Sequence, residues 1–208
     1  MDFSLSFEQE TLIQSLTDFV EKELYPHENI VEELRTVPED IAQEIRRKAD
    51  AAGFTAMNMP AEFGGPGLDH QTIAQAERVF GKPSAALSLL IKRPTQILLK
   101  CQGEQIDDYL MPTIRGDKTD CFALTEPGAG TDAQGQQTTA VLDESGENYI
   151  LNGSKCFITN GNVADTFVII AVTGKTTDKR GRAMKEISAF VVEKTDPGFT
   201  QGKHEKKM

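Results

Sequence analysis

Residues 122–132 read Phe-Ala-Leu-Thr-Glu-Pro-Gly-Ala-Gly-Thr-Asp, and residues 152–161 read Asn-Gly-Ser-Lys-Cys-Phe-Ile-Thr-Asn-Gly. The first stretch begins as an apolar strand and breaks into a turn that closes with two glycines and a hydroxyl. Gly128 and Gly130 carry no Cβ, so the backbone there can adopt φ > 0 and approach a ligand closely. Such a turn can point several amide N–H groups at one anion, and Thr131 adds a hydroxyl donor. A strand that runs into a donor-rich turn suits a ligand with a flat polar ring at one end and a phosphate at the other. Most Gly-rich turns simply reverse the chain, so on this physics alone the turn reads as either a ligand cradle or a plain connection.

Upstream of the first stretch the period is helical. Ser6 with Gln9 three residues on forms a capping box, and Leu12, Ile13, Leu16, Phe19, Val20 and Leu24 recur on one face. Tyr25-Pro26 ends that pattern. A second helix is expected over residues 28–35. A third has Pro38 in its first turn, presents Ile41, Ile45, Ala49 and Ala52, and stops at Gly53. Residues 59–69, dense in Gly and Pro, are a loop between helices. Asp69 caps a helix carrying Ile73, Ala76, Val79 and Phe80, and Ser84 opens another that runs to Leu99, with a kink or break at Pro94. Residues 104–114 form a last short helix with Pro112 in its final turn.

From Asp120 onward the period becomes that of strands. Short apolar runs are expected at residues 121–125, 137–142, 148–151, 155–159, 167–172 and 187–192, with a hairpin turn at residues 143–147 and another turn at residues 196–198. Residues 173–186 read as a mobile loop, and Phe199 as the start of a last strand. The fold class is therefore α+β in more than one domain. A helical bundle over residues 1–118 precedes an antiparallel, barrel-like β-domain over residues 119–208, which is expected to be incomplete.

Composition excludes several classes. The 208 residues carry 32 acidic against 22 basic side chains, a net charge of −10, which argues against nucleic acid as a partner. No apolar run approaches the ~18 residues of a membrane span. The N-terminus is acidic, with neither a secretory nor a transit pattern, so a cytoplasmic setting is expected. The three cysteines, Cys101, Cys121 and Cys156, are too few and too scattered for a disulfide framework or a metal site. The histidines, His27, His70 and His204, form no constellation.

The order of helices followed by strands, with Thr-Glu-Pro-Gly-Ala-Gly-Thr-Asp and then Leu-Asn-Gly-Ser-Lys-Cys-Phe-Ile-Thr-Asn-Gly, resembles the acyl-CoA dehydrogenases over essentially the whole sequence. The resemblance implies FAD as cofactor. Phe122, Leu124 and Thr125 would lie along the isoalloxazine, with Gly130 and Thr131 at the pyrophosphate and Phe157 beside the rings, where many members have Trp. Ile158 and Thr159 would follow, the Thr159 hydroxyl near N5. Thr131 would also touch the acyl-CoA substrate. The implied reaction is α,β-dehydrogenation of an acyl-CoA thioester: a base takes the α-proton, and the β-hydrogen leaves as hydride to flavin N5. Electrons then pass to an electron-transfer flavoprotein. In the family the base is a glutamate, usually in a C-terminal helical domain that is expected to lie outside these residues. No catalytic residue is therefore assigned within this sequence, and the chain alone is expected not to turn over acyl-CoA. Full-length members are homo-oligomers, as a rule tetramers. A non-catalytic subunit that pairs with another chain, and a flavin-dependent monooxygenase on the same scaffold, are the alternatives.

Overall fold

A computed structural model describes residues 3–205. The chain divides into two compact units. One runs to Gln96 and includes Glu104–Asp117, and the other holds Ile97–Gly103 and resumes at Lys118.

In the helical unit, α1 (Phe7–Phe19) starts on the expected capping box. Gln9 N–H donates to Ser6 Oγ at 3.3 Å, and Ser6 N–H donates to Gln9 Oε1 at 2.8 Å. The helix then widens into a π-helical turn, Val20–Leu24, and tightens into a 3-10 turn, Tyr25–His27, around Pro26, which has no N–H to give. Three further helices follow: α2 (Glu28–Leu34), α3 (Glu39–Ala51) and α4 (His70–Phe80). Pro38 caps α3 from one position outside it, and Gly53, at φ 73°, turns the chain away beyond it. Asp69 Oδ1 accepts from Thr72 N–H at 2.7 Å at the start of α4. The Gln9 amide reaches across to the same corner, donating to Asp69 Oδ2 and Thr72 Oγ1 at 2.8 and 2.7 Å. Apolar faces of these helices meet in one core around Leu16, Leu24, Ile45, Phe80 and Leu87.

The expected long helix from Ser84 to Leu99 is much shorter. Only α5 (Ala85–Ser88) forms, followed at a distance by a 3-10 turn, Gln96–Lys100. Pro94 disfavours helical geometry in the residue before it. The carbonyls that would continue the ladder are used elsewhere: those of Ser88 and Ile91 accept from the Arg93 guanidinium, and that of Lys92 accepts from Ala56 N–H. Near Pro112 the chain makes a π-helical turn, Ile106–Leu110, before α6 (Met111–Ile114), with the proline in the first turn of α6, where its missing N–H costs little.

The second unit is built on β1 (Asp120–Ala123), β2 (Thr139–Leu142), β3 (Tyr149–Asn152), β4 (Thr166–Thr177) and β5 (Ala183–Glu193). It corrects the expected antiparallel barrel. The sheet is mixed and not a closed barrel: β1 and β2 pair with β4 in parallel, while β2–β3 and β4–β5 are antiparallel. Alternation along a strand carries no information on direction. Here the excursion through the β2–β3 hairpin brings the chain back into β4 parallel to β1, as a long crossover allows.

Other expectations also change. Residues 155–159 are not a strand, because Phe157 and Asn160 have φ of 57° and 63°, outside strand geometry. Residues 173–186 are not a free loop. Most of them extend the β4–β5 hairpin, paired through backbone hydrogen bonds that polar side chains do not advertise. The turn between the arms is held by Asp178 Oδ1, which accepts from Arg180 and Arg182 N–H. Phe199 starts no strand. Its ring packs on Phe167 at 4.5 Å between centroids.

Candidate functional site

β1 ends at Ala123, and residues 124–131 leave the sheet as the turn that the sequence singles out. Alternation along β1 buries Cys121 and Ala123 and leaves Phe122 41% exposed. Residues 126–129 close a tight reversal: Glu126 N–H donates to the Ala129 carbonyl at 2.8 Å, and Ala129 N–H returns to Glu126 at 3.2 Å. Neither Gly128 nor Gly130 has a positive φ, so the conformation does not itself require glycine. A Cβ on Gly128 would meet nothing within 4 Å, and one on Gly130 would make only ordinary contact, 3.9 Å from Thr125 Cγ2. The missing side chains thus leave open space on the turn's outer surface, where a bound group can rest against backbone.

The second stretch lies directly beside the first. Cys156 N–H donates to the Thr125 carbonyl at 2.9 Å, and Lys155 Nζ donates to the Leu124 carbonyl at 3.0 Å. Gly153 lets the second stretch pass close to the start of β2, since a Cβ there would sit 2.3 Å from Thr138 Oγ1. Beyond Cys156 the chain turns sharply. Phe157 is 76% exposed and holds a left-handed φ of 57°, a conformation that bulky residues rarely adopt. Strain of this kind persists only where the surroundings impose it, and it concentrates at binding sites. Ile158 is half-buried against Cys121, Ala164 and Phe167, while Thr159 is exposed. Leu124 and Thr125 are half-buried, and Gly130 and Thr131 are exposed.

Beneath these surfaces is a polar cluster that the sequence did not reveal. Lys155 and Glu126 have side chains only 9% and 5% exposed and pair at 2.8 Å. Lys155 Nζ also donates to Gln136 Oε1 at 2.8 Å, so its three protons meet three acceptors: Leu124 O, Glu126 Oε1 and Gln136 Oε1. Glu126 accepts as well from Thr138 N–H at 2.9 Å and Gln137 N–H at 2.7 Å. Gln136 is itself buried. Its side-chain amide donates to Ala133 O at 3.0 Å, and its backbone carbonyl accepts from Lys185 Nζ on β5. Burial, the largest single influence, pushes the Glu126 carboxyl up. The hydrogen bonds from Lys155, Thr138 and Gln137 together outweigh it and leave the pKa lowered to about 2. A carboxylate so fully occupied is an anchor and cannot take a proton from a substrate at neutral pH. Twenty-nine positions separate Glu126 from Lys155, and no local pattern links them.

An open cleft of about 440 Å³ runs between the Pro127-Gly128 corner, the start of β2 and residues 152–154. All three cysteines are free, and burial, with Asp120 adding to it, pushes the Cys121 thiol up to about 12, which removes it as a nucleophile. Among the described residues no group of three or more His, Cys, Asp or Glu side chains is placed to hold a metal ion. Nor is any helix long and apolar enough to cross a membrane.

Two family models match most of the chain, the acyl-CoA dehydrogenase N-terminal domain over residues 6–117 and the acyl-CoA dehydrogenase middle domain over residues 121–208. The chain belongs to the acyl-CoA dehydrogenase family. It is 38% identical to the short-chain specific acyl-CoA dehydrogenase of Clostridium acetobutylicum, over all of this chain and 53% of that protein. It is 40% identical to subunit CarC of the caffeyl-CoA reductase–Etf complex of Acetobacterium woodii, over 97% of this chain and 52% of that one. The solved acyl-CoA dehydrogenase of Bacillus anthracis in complex with FAD superposes with a TM-score of 0.79 at 30% identity, covering 98% of this chain and 34% of that one. The chain spans about half the length of the curated relatives it matches.

Proposed function

We propose that this chain forms the helical and flavin-contacting portion of an FAD-dependent acyl-CoA oxidoreductase. The observation that carries this is the adjacency of residues 124–126 and 155–156, fixed by the Cys156–Thr125 and Lys155–Leu124 hydrogen bonds. It sets two separate flavin-type segments side by side. Phe122, Leu124, Thr125, Phe157 and Ile158 would line the ring system. Gly130 and Thr131 would meet the pyrophosphate, with Thr131 also at the acyl-CoA and Thr159 close to the reacting edge. FAD supplies the two-electron chemistry, and the chain's own groups bind it, orient it and exclude water from one side. No base is assigned here, and Glu126 is committed to Lys155.

The electron partner in this reading is an electron-transfer flavoprotein. The likeness to a protein named as a reductase–Etf subunit also favours the reverse direction, reduction of an enoyl-CoA with electrons drawn from that partner. Titration of the 208-residue chain with FAD, followed by flavin fluorescence, tests the cofactor site. Saturable binding that weakens in Thr125→Val and Thr159→Val is the expected outcome. No binding at any concentration would remove the flavin site from this chain.

A further inference from the structure

We propose that Lys155 is a positioning residue, whose ammonium group pins the Leu124 carbonyl inward and thereby aims the Leu124–Thr125 peptide at the cofactor. This rests on the flavin reading above. Lys155 Nζ is shared among Leu124 O, Glu126 Oε1 and Gln136 Oε1 at 3.0, 2.8 and 2.8 Å. Glu126 and Gln136 are themselves held by the Gln137 and Thr138 amides and by the Ala133 carbonyl, so the ammonium has little freedom to move. A trans peptide is planar, and its C=O and N–H point to opposite sides. No peptide bond in the described chain is cis. With the Leu124 carbonyl directed at the buried ammonium, the Thr125 N–H is directed away from it. The next carbonyl, that of Thr125, is fixed in turn by Cys156 N–H at 2.9 Å. Two successive peptides of the first flavin segment are therefore oriented by two successive residues of the second, one through a side chain and one through the backbone. A buried ammonium needs a partner for each of its protons. What ties this one to the candidate site is the choice of third partner, the Leu124 carbonyl of the turn itself.

The test separates positioning from folding. Lys155→Met removes the ammonium but leaves a buried carboxylate behind, and it can unfold the sheet unit for that reason alone. The double variant Lys155→Met/Glu126→Gln removes both charges and still leaves the Leu124 carbonyl without its donor. Wild-type and double-variant chains are titrated with FAD, with the visible spectrum of the bound flavin and thermal melting recorded alongside. The expected result is a double variant that melts near wild type, binds FAD at least about tenfold more weakly and shows a shifted flavin spectrum. A folded double variant with wild-type affinity and spectrum overturns the inference and leaves the flavin site standing. A wild-type chain that binds no FAD overturns the flavin reading and the inference with it. If the double variant does not fold, Lys155→Arg decides, because it keeps the charge opposite Glu126 while changing the donor geometry at Leu124. Weaker binding with a shifted spectrum supports positioning, and unchanged binding overturns it.

Discussion

The two units are held together in different ways. The helical unit closes on large apolar side chains, Leu16, Leu24, Ile45, Phe80 and Leu87 among them, and its ion pairs lie on the surface, as Arg47 with Glu44 does, or at its edge, where the part-buried Arg93 pairs with Glu77. The sheet unit buries many small residues, Ala123, Ala129, Ala140, Ala164 and Ala171, beside Phe167, Val168 and Ile170. It also buries Glu126, Gln136, Thr138 and Thr166, while Phe122, Val141, Ile150 and Phe157 face outward. Apolar burial is non-directional and tolerates shifts of position. A buried ion pair with every proton assigned fixes atoms against one another. The unit that carries the candidate site is thus the one whose interior is specified by direction as well as by volume.

That contrast predicts two kinds of large loss. Phe80→Ala in the helical unit, at a side chain 1% exposed, should cost about 3–5 kcal/mol, and no neighbouring truncation should restore it, because the loss is one of filled volume. Lys155→Met should cost a similar ~3–5 kcal/mol, since it strands a buried carboxylate. Adding Glu126→Gln should recover most of it. Denaturant unfolding of the two single variants and the double checks both. A double variant no more stable than Lys155→Met would mean that the sheet unit is also held by volume.

Acid should act on the two units unequally. Glu126 titrates at about 2 in the folded chain against an ordinary value of 4.5. Its lowered value adds stability that is fully present above pH 4.5 and is lost as the pH falls toward 2, up to about 3 kcal/mol in all. Asp143, in the exposed β2–β3 turn, is also lowered to about 2, first by its hydrogen bond from Ser145 and then by that from Asn148, but solvent screens it. Thermal melts between pH 6 and pH 2 should therefore show a fall that Glu126→Gln/Lys155→Met flattens and Asp143→Asn barely changes. Equal flattening by both would place the acid sensitivity outside the buried pair.

The same contrast explains which parts of the fold were legible in the sequence. Helix starts were, because a capping box at Ser6 and a cap at Asp69 are local and use residues three apart. The β2–β3 hairpin was, because Asp143 and Gly146 dictate its turn. Strand direction was not, because parallel pairing of β1 with β4 depends on residues far apart in the chain. Polar side chains hide the hairpin arms at residues 173–186, and the loop at residues 155–159 reads as a strand because Phe157 and Ile158 are strand-type residues. In the candidate site both stretches, Lys155 among them, stand out as motif. The burial of Lys155 and Gln136 and their meeting with Glu126 do not, since a buried Lys and Gln read locally as surface residues.

Gly130→Ala should have the smallest effect on stability and the most informative one on the site. In most folds a glycine is kept for a positive φ or a close internal contact, and Gly153 against Thr138 is such a case here. Gly130 has neither: its φ is not positive, and the added Cβ would lie 3.9 Å from Thr125 Cγ2 and touch nothing closer. Alanine there should change unfolding free energy by no more than about 0.5 kcal/mol, with either sign, because the smaller entropy of the unfolded chain offsets any crowding. If a phosphate rests against that backbone, the methyl group intrudes on it directly, and FAD affinity should fall by about tenfold while the melting temperature stays put. Gly153→Ala should do the opposite, lowering stability first. A Gly130→Ala chain that keeps both its stability and its FAD affinity would place the phosphate elsewhere. The open surface of the turn would then be only solvent-facing, and the site would narrow to the segment around Thr125, Phe157 and Thr159.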